Sequence, residues 1–320
     1  MSSHVPRFAY FGLPLGALAL MRGGFVPDVV VLGRTRAPGT RRLLRSLEPS
    51  VPRFVRPAPD DPRIGEALDA RGVDTVLSWF YPQAIPRALL ARATRGAFGA
   101  HPSLLPRWRG PDPTFWAIFA GDEETGVTLH RLETEYDTGA IVAQRRLAIR
   151  PDEHALALAR RLDRPGLALM VHCAERLAAG DALLGTTQDE AAATDAPTPD
   201  DAFLEIDWGR PADEIARLVR AAAPYPGATA EFGDALVEVL EARPSAVRLP
   251  AALAPADAVW TPEGLVVRAG DAGLCLTKVR LEDGEIVRGD ALRGLFPEGL
   301  SEVGFETGGA TGASGKTKGS

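Results

Sequence analysis

Residues 74–101 read DTVLSWFYPQAIPRALLARATRGAFGAH, in which two apolar runs flank a helical pattern. Asp74–Phe80 and Gly96–Ala100 have the composition of buried strands, and Pro86–Ala93 between them has helical spacing. Two similar apolar runs occur earlier, at Phe8–Phe11 and Asp28–Leu32. Alternation of strand and helix predicts an α/β fold with a doubly wound, mostly parallel sheet over roughly the first 180 residues.

His101 directly follows the last of these strands, and ligands of such sheets bind beyond the carboxyl ends of the strands. The runs Val127–Leu132 and Ile141–Ile149 predict a hairpin with Asp137 in its connection. A histidine that passes a proton near neutral pH needs an anionic neighbour, which Asp137 can supply. The sequence therefore indicates a His–Asp pair. The alternatives are a structural histidine and an aspartate that caps the turn before Thr138-Gly139.

The rest of the chain predicts a second, smaller domain. Ala155–Ala179 has a helical pattern that we expect to break at Pro165-Gly166, and a segment without apolar periodicity follows. Short strand-like runs separated by Gly-Asp turns come later. We predict a first domain at 1–184, a linker at 185–202, a small β-rich domain at 203–305 and a disordered tail at 306–320.

Charge and composition argue against several classes of protein. A net charge of -6 and a pI near 5.5 give no overall electrostatic footprint for nucleic acid. Cys173 and Cys275 are far apart and no Cys/His cluster has metal-ligand spacing, so we predict neither a disulfide framework nor a metal site. The apolar stretch Ala9–Met21 is too short to span a bilayer, and we interpret it as strand, turn and helix rather than as a signal peptide. These features predict a cytoplasmic protein without a membrane partner.

Three motifs carry a family resemblance. His101–Gly110 (HPSLLPRWRG), Gly121–Thr128 (GDEETGVT) and Tyr136–Gly139 (YDTG) occur in this order and resemble successive signatures of the folate-dependent formyltransferases. Phe203–Trp208 and Pro224–Ala228 are similar to the carboxy-terminal domain of members that formylate methionyl-tRNA or sugar nucleotides. The resemblance implies a Rossmann-like formyltransferase domain followed by a small OB-like barrel.

The resemblance also implies transfer of a formyl group from 10-formyltetrahydrofolate to a primary amine. His101 would be the proton donor or acceptor at the tetrahedral intermediate, and Asp137 would hold it. The folate pocket would be lined by Ser103, Leu104, Leu105, Pro106, Glu133, Thr134, Glu135 and Tyr136. The other histidines, His4, His130, His154 and His172, are assigned no role.

One position departs from the family pattern. The family has an Asn two residues before the His, as a donor to the oxyanion, whereas this chain has Gly99 and no Asn among its 320 residues. Losing one such donor costs about 10² to 10³ in rate. Gln83 and a backbone N–H at Gly99 are candidate replacements. The alternative is a folate-binding or regulatory relative with weak or no transferase activity.

The identity of the amine stays open. Five arginines, which we predict to form a basic loop after the second strand, coincide with a loop that meets the acceptor stem in tRNA-modifying relatives; a solvated loop is the alternative. They are Arg34, Arg36, Arg41, Arg42 and Arg45. However, residues 201–300 contain more Asp and Glu than Arg and Lys, which argues against a phosphate-tracking domain. Initiator tRNA and a small amine such as an amino sugar nucleotide are both candidates, and charge favours the small one.

Overall fold

The computed structural model describes residues 6–232 and 235–296. The described residues form two compact units, one of residues 6–205 with Arg217–Ala228 and one of Ile206–Ala216 with the described residues from Thr229 on. The predicted tail, the end of the predicted second domain from residue 297 and His4 lie outside the described residues.

A seven-stranded sheet forms the centre of the first unit. Its order is β3-β2-β1-β4-β5-β6-β7; β1 to β5 pair in parallel, and β6 is antiparallel to both β5 and β7. The strands are β1 Phe8–Gly12, β2 Val29–Leu32, β3 Arg53–Val55, β4 Thr75–Trp79, β5 Gly96–His101, β6 Glu124–Arg131 and β7 Ile141–Ala148. Every residue of β1, β2, β4 and β5 is buried, because the parallel part of the sheet is covered on both faces. The predicted doubly wound, mostly parallel sheet is confirmed.

Seven helices belong to this unit among the described residues. They are α1 Pro14–Arg22, α2 Thr40–Ser46, α3 Pro62–Arg71, α4 Arg87–Leu90, α5 Pro113–Phe119, α6 Ala155–Ala178 and α7 Asp201–Leu204. Proline opens α1, α3 and α5, where a missing N–H costs no helical hydrogen bond. The region of α2 differs from the prediction: Arg41, Arg42 and Arg45 lie on a helix rather than in a loop.

The long helix α6 is continuous, so the predicted break at Pro165-Gly166 is wrong. Proline removes one helical N–H, and burial of the face that carries Leu162 and Met170 offsets that loss. The ideal Cβ position of Gly166 lies 3.4 Å from Trp79 Nε1, so glycine lets the helix lie close to the sheet. Within the described ranges no helix, α6 included, is both long and apolar enough to cross a membrane.

The segment predicted as a linker groups with the first unit instead. Thr186 pairs with Ile141, and Asp195 pairs with Arg109, in isolated β-bridges. Polar bonds rather than apolar periodicity fix this path, since Gln188 is buried and fully hydrogen-bonded within it. We call residues 186–196 the strap.

The second unit is mostly β, as predicted. Helix α8 Ala212–Ala222 begins in it, and its strands are β8 Ala228–Phe232, β9 Ala235–Pro244, β10 Ala258–Thr261, β11 Gly264–Arg268, β12 Gly273–Leu281 and β13 Ile286–Arg288. The order is β10-β11-β12-β9-β8, with β13 against β12, and the described registers are antiparallel. The short strands β10 and β13 were not predicted, because a run of three or four residues is too short to show the alternation of apolar and polar residues that marks a strand. Barrel closure stays a prediction, because the described pairings leave β8 and β10 at the two edges.

We expect Gly12→Ala to destabilise the first unit severely. A Cβ at Gly12 would lie 1.9 Å from the Trp79 carbonyl oxygen of the neighbouring strand, and the φ of 140° already disfavours a side chain. The loss should reach at least about 3 kcal/mol in urea unfolding. Gly24→Ala is the matched control, because Gly24 has φ 89° and no atom within 4 Å of its ideal Cβ; it should lose about 1 to 2 kcal/mol. Equal losses would contradict the steric explanation.

Candidate active site

A cavity of about 580 Å³ opens at the carboxyl ends of β1, β4 and β5. Its walls include Phe80–Ile85 after β4, Gly99–Pro102 at the end of β5 and Leu132–Asp137 in the β6–β7 connection. The sheet order reverses between β1 and β4, and ligands of doubly wound sheets bind at such a switch point. The fold therefore brings the two predicted catalytic residues to one cavity.

His101 is the last residue of β5 and is buried. Its Nε2 lies 2.8 Å from the Trp108 carbonyl oxygen. Because a carbonyl can only accept, Nε2 must carry the hydrogen, and in the neutral ring Nδ1 carries none. That Nδ1 lies 3.4 Å from Oδ2 of Asp137. The ring therefore presents one nitrogen that can take up a proton next to a carboxylate.

Asp137 lies in the β6–β7 connection with a left-handed φ of 57°. Its Oδ2 accepts a hydrogen bond from the Gly110 N–H at 2.9 Å. Its Oδ1 lies 3.5 Å from Nε2 of His130. The carboxylate thus lies between two imidazole rings and is held by the Gly110 N–H.

Sequence reasoning missed His130, which lines the cavity from β6. Its Nδ1 donates to the Arg131 carbonyl oxygen at 2.8 Å, so Nε2 carries no hydrogen in the neutral ring. Burial lowers the pKa of His130 to about 4, and the nearby Asp137 opposes this only in part. The cavity therefore presents three acceptors together: His101 Nδ1, the Asp137 carboxylate and His130 Nε2. Such a cluster attracts a proton or an ammonium group.

The predicted pocket residues divide into two groups. Glu133, Thr134, Glu135 and Tyr136 line the cavity, whereas none of Ser103–Pro106 does. The Ser103 hydroxyl donates to the Arg107 carbonyl oxygen at 2.6 Å, and the Leu105 N–H donates to Thr128 Oγ1 at 3.0 Å. These bonds turn the second group inward, where it supports the loop after His101.

Gly99 lies inside β5, opposite Ser78 of β4 and His130 of β6. Backbone N–H groups of a strand point at neighbouring strands, which argues against the predicted N–H donor at Gly99. Gln83 does line the cavity. Among the described residues its side chain has one hydrogen-bond partner, Tyr81, whose hydroxyl donates to Oε1 at 3.4 Å. The amide hydrogens of Gln83 remain available.

The five arginines predicted to lie in one loop are divided between a loop and a helix. Arg34 is exposed and lines the cavity, whereas Arg36 lies in the following loop and the other three lie on α2. No group of three or more His, Cys, Asp or Glu residues in the described ranges is arranged to hold a metal ion.

We expect His130 to make stability depend on acid pH. Burial lowers the pKa of His130 from about 6.5, the usual value of a histidine in an unfolded chain, to about 4 in the folded chain. Between these values the unfolded state binds more protons, so stability falls as pH falls, by about 3 kcal/mol at pH 4.

His130→Gln should remove most of this fall when urea unfolding at pH 7 is compared with that at pH 4. His172→Gln, at a half-exposed histidine on α6, should not change it. Identical pH dependence in wild type and His130→Gln would contradict the assignment.

Two solved structures share the fold. HypX from Aquifex aeolicus, in complex with tetrahydrofolic acid, aligns with a TM-score of 0.60 and 20% identity, over 91% of this chain and 47% of that one. This chain thus spans about half the length of HypX. WlaRD, a sugar 3N-formyl transferase, aligns with a TM-score of 0.61 and 13% identity, over 85% of this chain and 96% of that one.

Sequence comparison identifies the family. The Formyl transferase family profile matches residues 30–173, and the Formyl transferase, C-terminal domain profile matches residues 200–294. A methionyl-tRNA formyltransferase from Anaeromyxobacter dehalogenans is 36% identical over 291 residues, covering 86% of this chain and 92% of the relative. Another from Burkholderia ambifaria is 36% identical over 230 residues, 69% of each chain. The chain therefore belongs to the formyltransferase family of transferase enzymes.

Proposed function

We propose that this protein is an N-formyltransferase that moves a formyl group from 10-formyltetrahydrofolate to a primary amine. The observation that carries the proposal is the approach of His101 Nδ1 to Asp137 Oδ2, 3.4 Å apart at a cavity. Membership of the formyltransferase family supports the class of reaction. The cytoplasmic location stays a prediction.

The cavity residues fit a folate donor. A volume of about 580 Å³ is within the range of roughly 300 to 1,000 Å³ that small-molecule sites occupy. Phe80, Tyr81 and Tyr136 supply aromatic surface for a flat ring system, and Phe80 and Tyr136 are exposed. HypX was solved with tetrahydrofolic acid and WlaRD with 5-N-formyl-THF, which supports the same ligand class here.

When bound, the donor supplies a formyl carbon, whose bond to N10 is replaced by one to the amine nitrogen while one proton passes from the amine to N10. An amine that arrives as an ammonium ion first releases one proton to solvent, because only the neutral amine can attack. Asp137 Oδ1 and His130 Nε2 accept hydrogen bonds from the incoming nitrogen, and His101 Nδ1 accepts the proton that this nitrogen loses as its bond to the formyl carbon forms. Asp137 stabilises the charged ring, which returns this proton from the same atom to N10 as the bond between N10 and the formyl carbon breaks.

The oxyanion needs a donor other than the absent Asn. Gln83 is our candidate, because it lines the cavity with free amide hydrogens. Donors aimed at the developing charge in a dry site are a large source of rate. If Gln83 has this role, Gln83→Ala should slow transfer by about 10²; unchanged turnover would remove it.

His101→Ala and Asp137→Asn should each lower kcat by about 10² to 10⁴, because each removes part of the proton relay. Tetrahydrofolate release from 10-formyltetrahydrofolate and an amine would be the measurement. Asp181→Asn is the matched control; it breaks only a surface ion pair with Arg176 and should leave kcat unchanged. Wild-type rates in the first two variants would refute the proposal. Donor binding without transfer to any amine would support the regulatory alternative.

Methionyl-tRNA is the first candidate acceptor, because the relatives that match most of this chain carry that activity in their names. The exposed arginines of α2 could contact phosphates. A small amine such as an amino sugar nucleotide is the second candidate, favoured by the acidic balance of residues 201–300.

Filter binding of initiator tRNA at several salt concentrations separates the two acceptors. For a tRNA enzyme we expect affinity to fall steeply with salt, and Arg41→Gln with Arg42→Gln and Arg45→Gln to reduce the log–log slope by about 2 to 3. Arg22→Gln, on α1, is the control substitution. Affinity that does not respond to salt would exclude tRNA and leave the small amine.

A further inference from the structure

We propose that the strap, residues 186–196, is a positioning element that holds both members of the His–Asp pair, through Gln188 on one side and Thr194 on the other. The proposal rests on the proposed function in so far as that pair performs the transfer. The strap was expected to be a linker, and its polar contacts instead converge on the backbone of Asp137 and Trp108.

Gln188 contacts Asp137 directly. Its Nε2 donates to the Asp137 carbonyl oxygen at 2.6 Å and to the Gly139 carbonyl oxygen at 2.7 Å. Its Oε1 accepts from Nε and Nη2 of Arg109, at 3.0 and 2.8 Å. Both amide hydrogens and both oxygen lone pairs are therefore used, and the buried side chain has only one satisfactory orientation.

These bonds fix the turn that aims the Asp137 carboxylate. The backbone φ of Asp137 is 57°, in the left-handed region that residues with a side chain rarely adopt. Gly139, which closes the same turn, has no room for a side chain, since a Cβ there would lie 1.9 Å from the Arg131 carbonyl oxygen. By binding the carbonyls at both positions, Gln188 holds the turn in the form that places Oδ2 on the Gly110 N–H.

Thr194 acts on the histidine side. The Trp108 N–H donates to Thr194 Oγ1 at 2.9 Å, and Trp108 is also left-handed, with φ 64°. The Trp108 carbonyl is the group that binds His101 Nε2 and so leaves Nδ1 free to face Asp137. Backbone bonds between Arg109 and both Thr194 and Ala196 anchor the strap to the same loop. One segment thus supports the two unusual backbone conformations on which the pair depends.

Gln188→Glu tests the aspartate side. The carboxylate still accepts from Arg109 but cannot donate to the two carbonyls. We expect kcat to fall about 10- to 100-fold, because small displacements of reacting groups are costly, while the dissociation constant of the folate donor changes less than about threefold. This split between turnover and binding is not expected from a general loss of stability.

Thr75→Val is the stability control. Thr75 is buried at the first residue of β4, at the opposite end of that strand from the cavity, and its hydroxyl donates to Asp74 Oδ1 at 2.8 Å. Loss of this bond should lower Tm and leave kcat within about twofold of wild type. Equal loss of kcat in both variants would overturn the proposal.

Thr194→Val tests the histidine side and decides the question if Gln188→Glu fails to fold. It should lower kcat about 3- to 10-fold with donor affinity kept. Thr198→Val removes a hydroxyl that bonds Asp112 instead and should have no effect. If Gln188→Glu or Thr194→Val keeps the wild-type kcat while Asp137→Asn is slow, the positioning role of the strap is refuted and the proposed function stands. Wild-type kcat in Asp137→Asn would instead refute the proposed function.

Discussion

The Asp137 carboxylate faces two imidazole nitrogens that carry no hydrogen in the neutral rings, and this cluster of acceptors is the constraint on which the site depends. Both rings donate their single hydrogen to a backbone carbonyl, of Trp108 and of Arg131. Neither ring can rotate to relieve the cluster without losing that bond. A proton or an ammonium group relieves it, which is consistent with the proposed reaction of an amine.

The fold supplies the cluster from three places. His101 lies at the end of strand β5, His130 lies within strand β6, and Asp137 lies in the turn after β6. Sheet pairing fixes the two strands, since His101 is opposite Thr128 and Gly99 is opposite His130. The turn has no such register, so its geometry depends on side-chain bonds, and Gln188 makes the two that bracket Asp137.

Much of this arrangement was predictable, because it follows from local patterns. Apolar runs indicated the parallel strands, and the position of His101 after one of them indicated a site. The expected hairpin placed Asp137 in a connection, and the family resemblance implied its partnership with His101. His130 was not predictable in the same way, because it lies within an apolar strand and looks like a core residue.

Other features depended on contacts distant in sequence. The strap has no periodicity, since buried amide bonds to Asp137, Gly139 and Arg109 hold it. The sequence did not predict helix α2, because Pro38-Gly39 before it indicates a loop and because its arginines leave little apolar pattern. The family resemblance suggested Ser103–Pro106 as pocket residues, but hydrogen bonds to Arg107 and Thr128 turn them away from the cavity.

A double-mutant cycle on the rate of formyl transfer tests most directly whether residues 101 and 137 act as one unit. The rates of His101→Ala, Asp137→Asn and the double variant would be compared under single-turnover conditions with saturating donor. Residues that act together give strongly non-additive losses, so the double variant should be about as slow as the slower single variant. A double variant slowed by the product of the two single effects would show that the residues contribute independently, and would contradict the account.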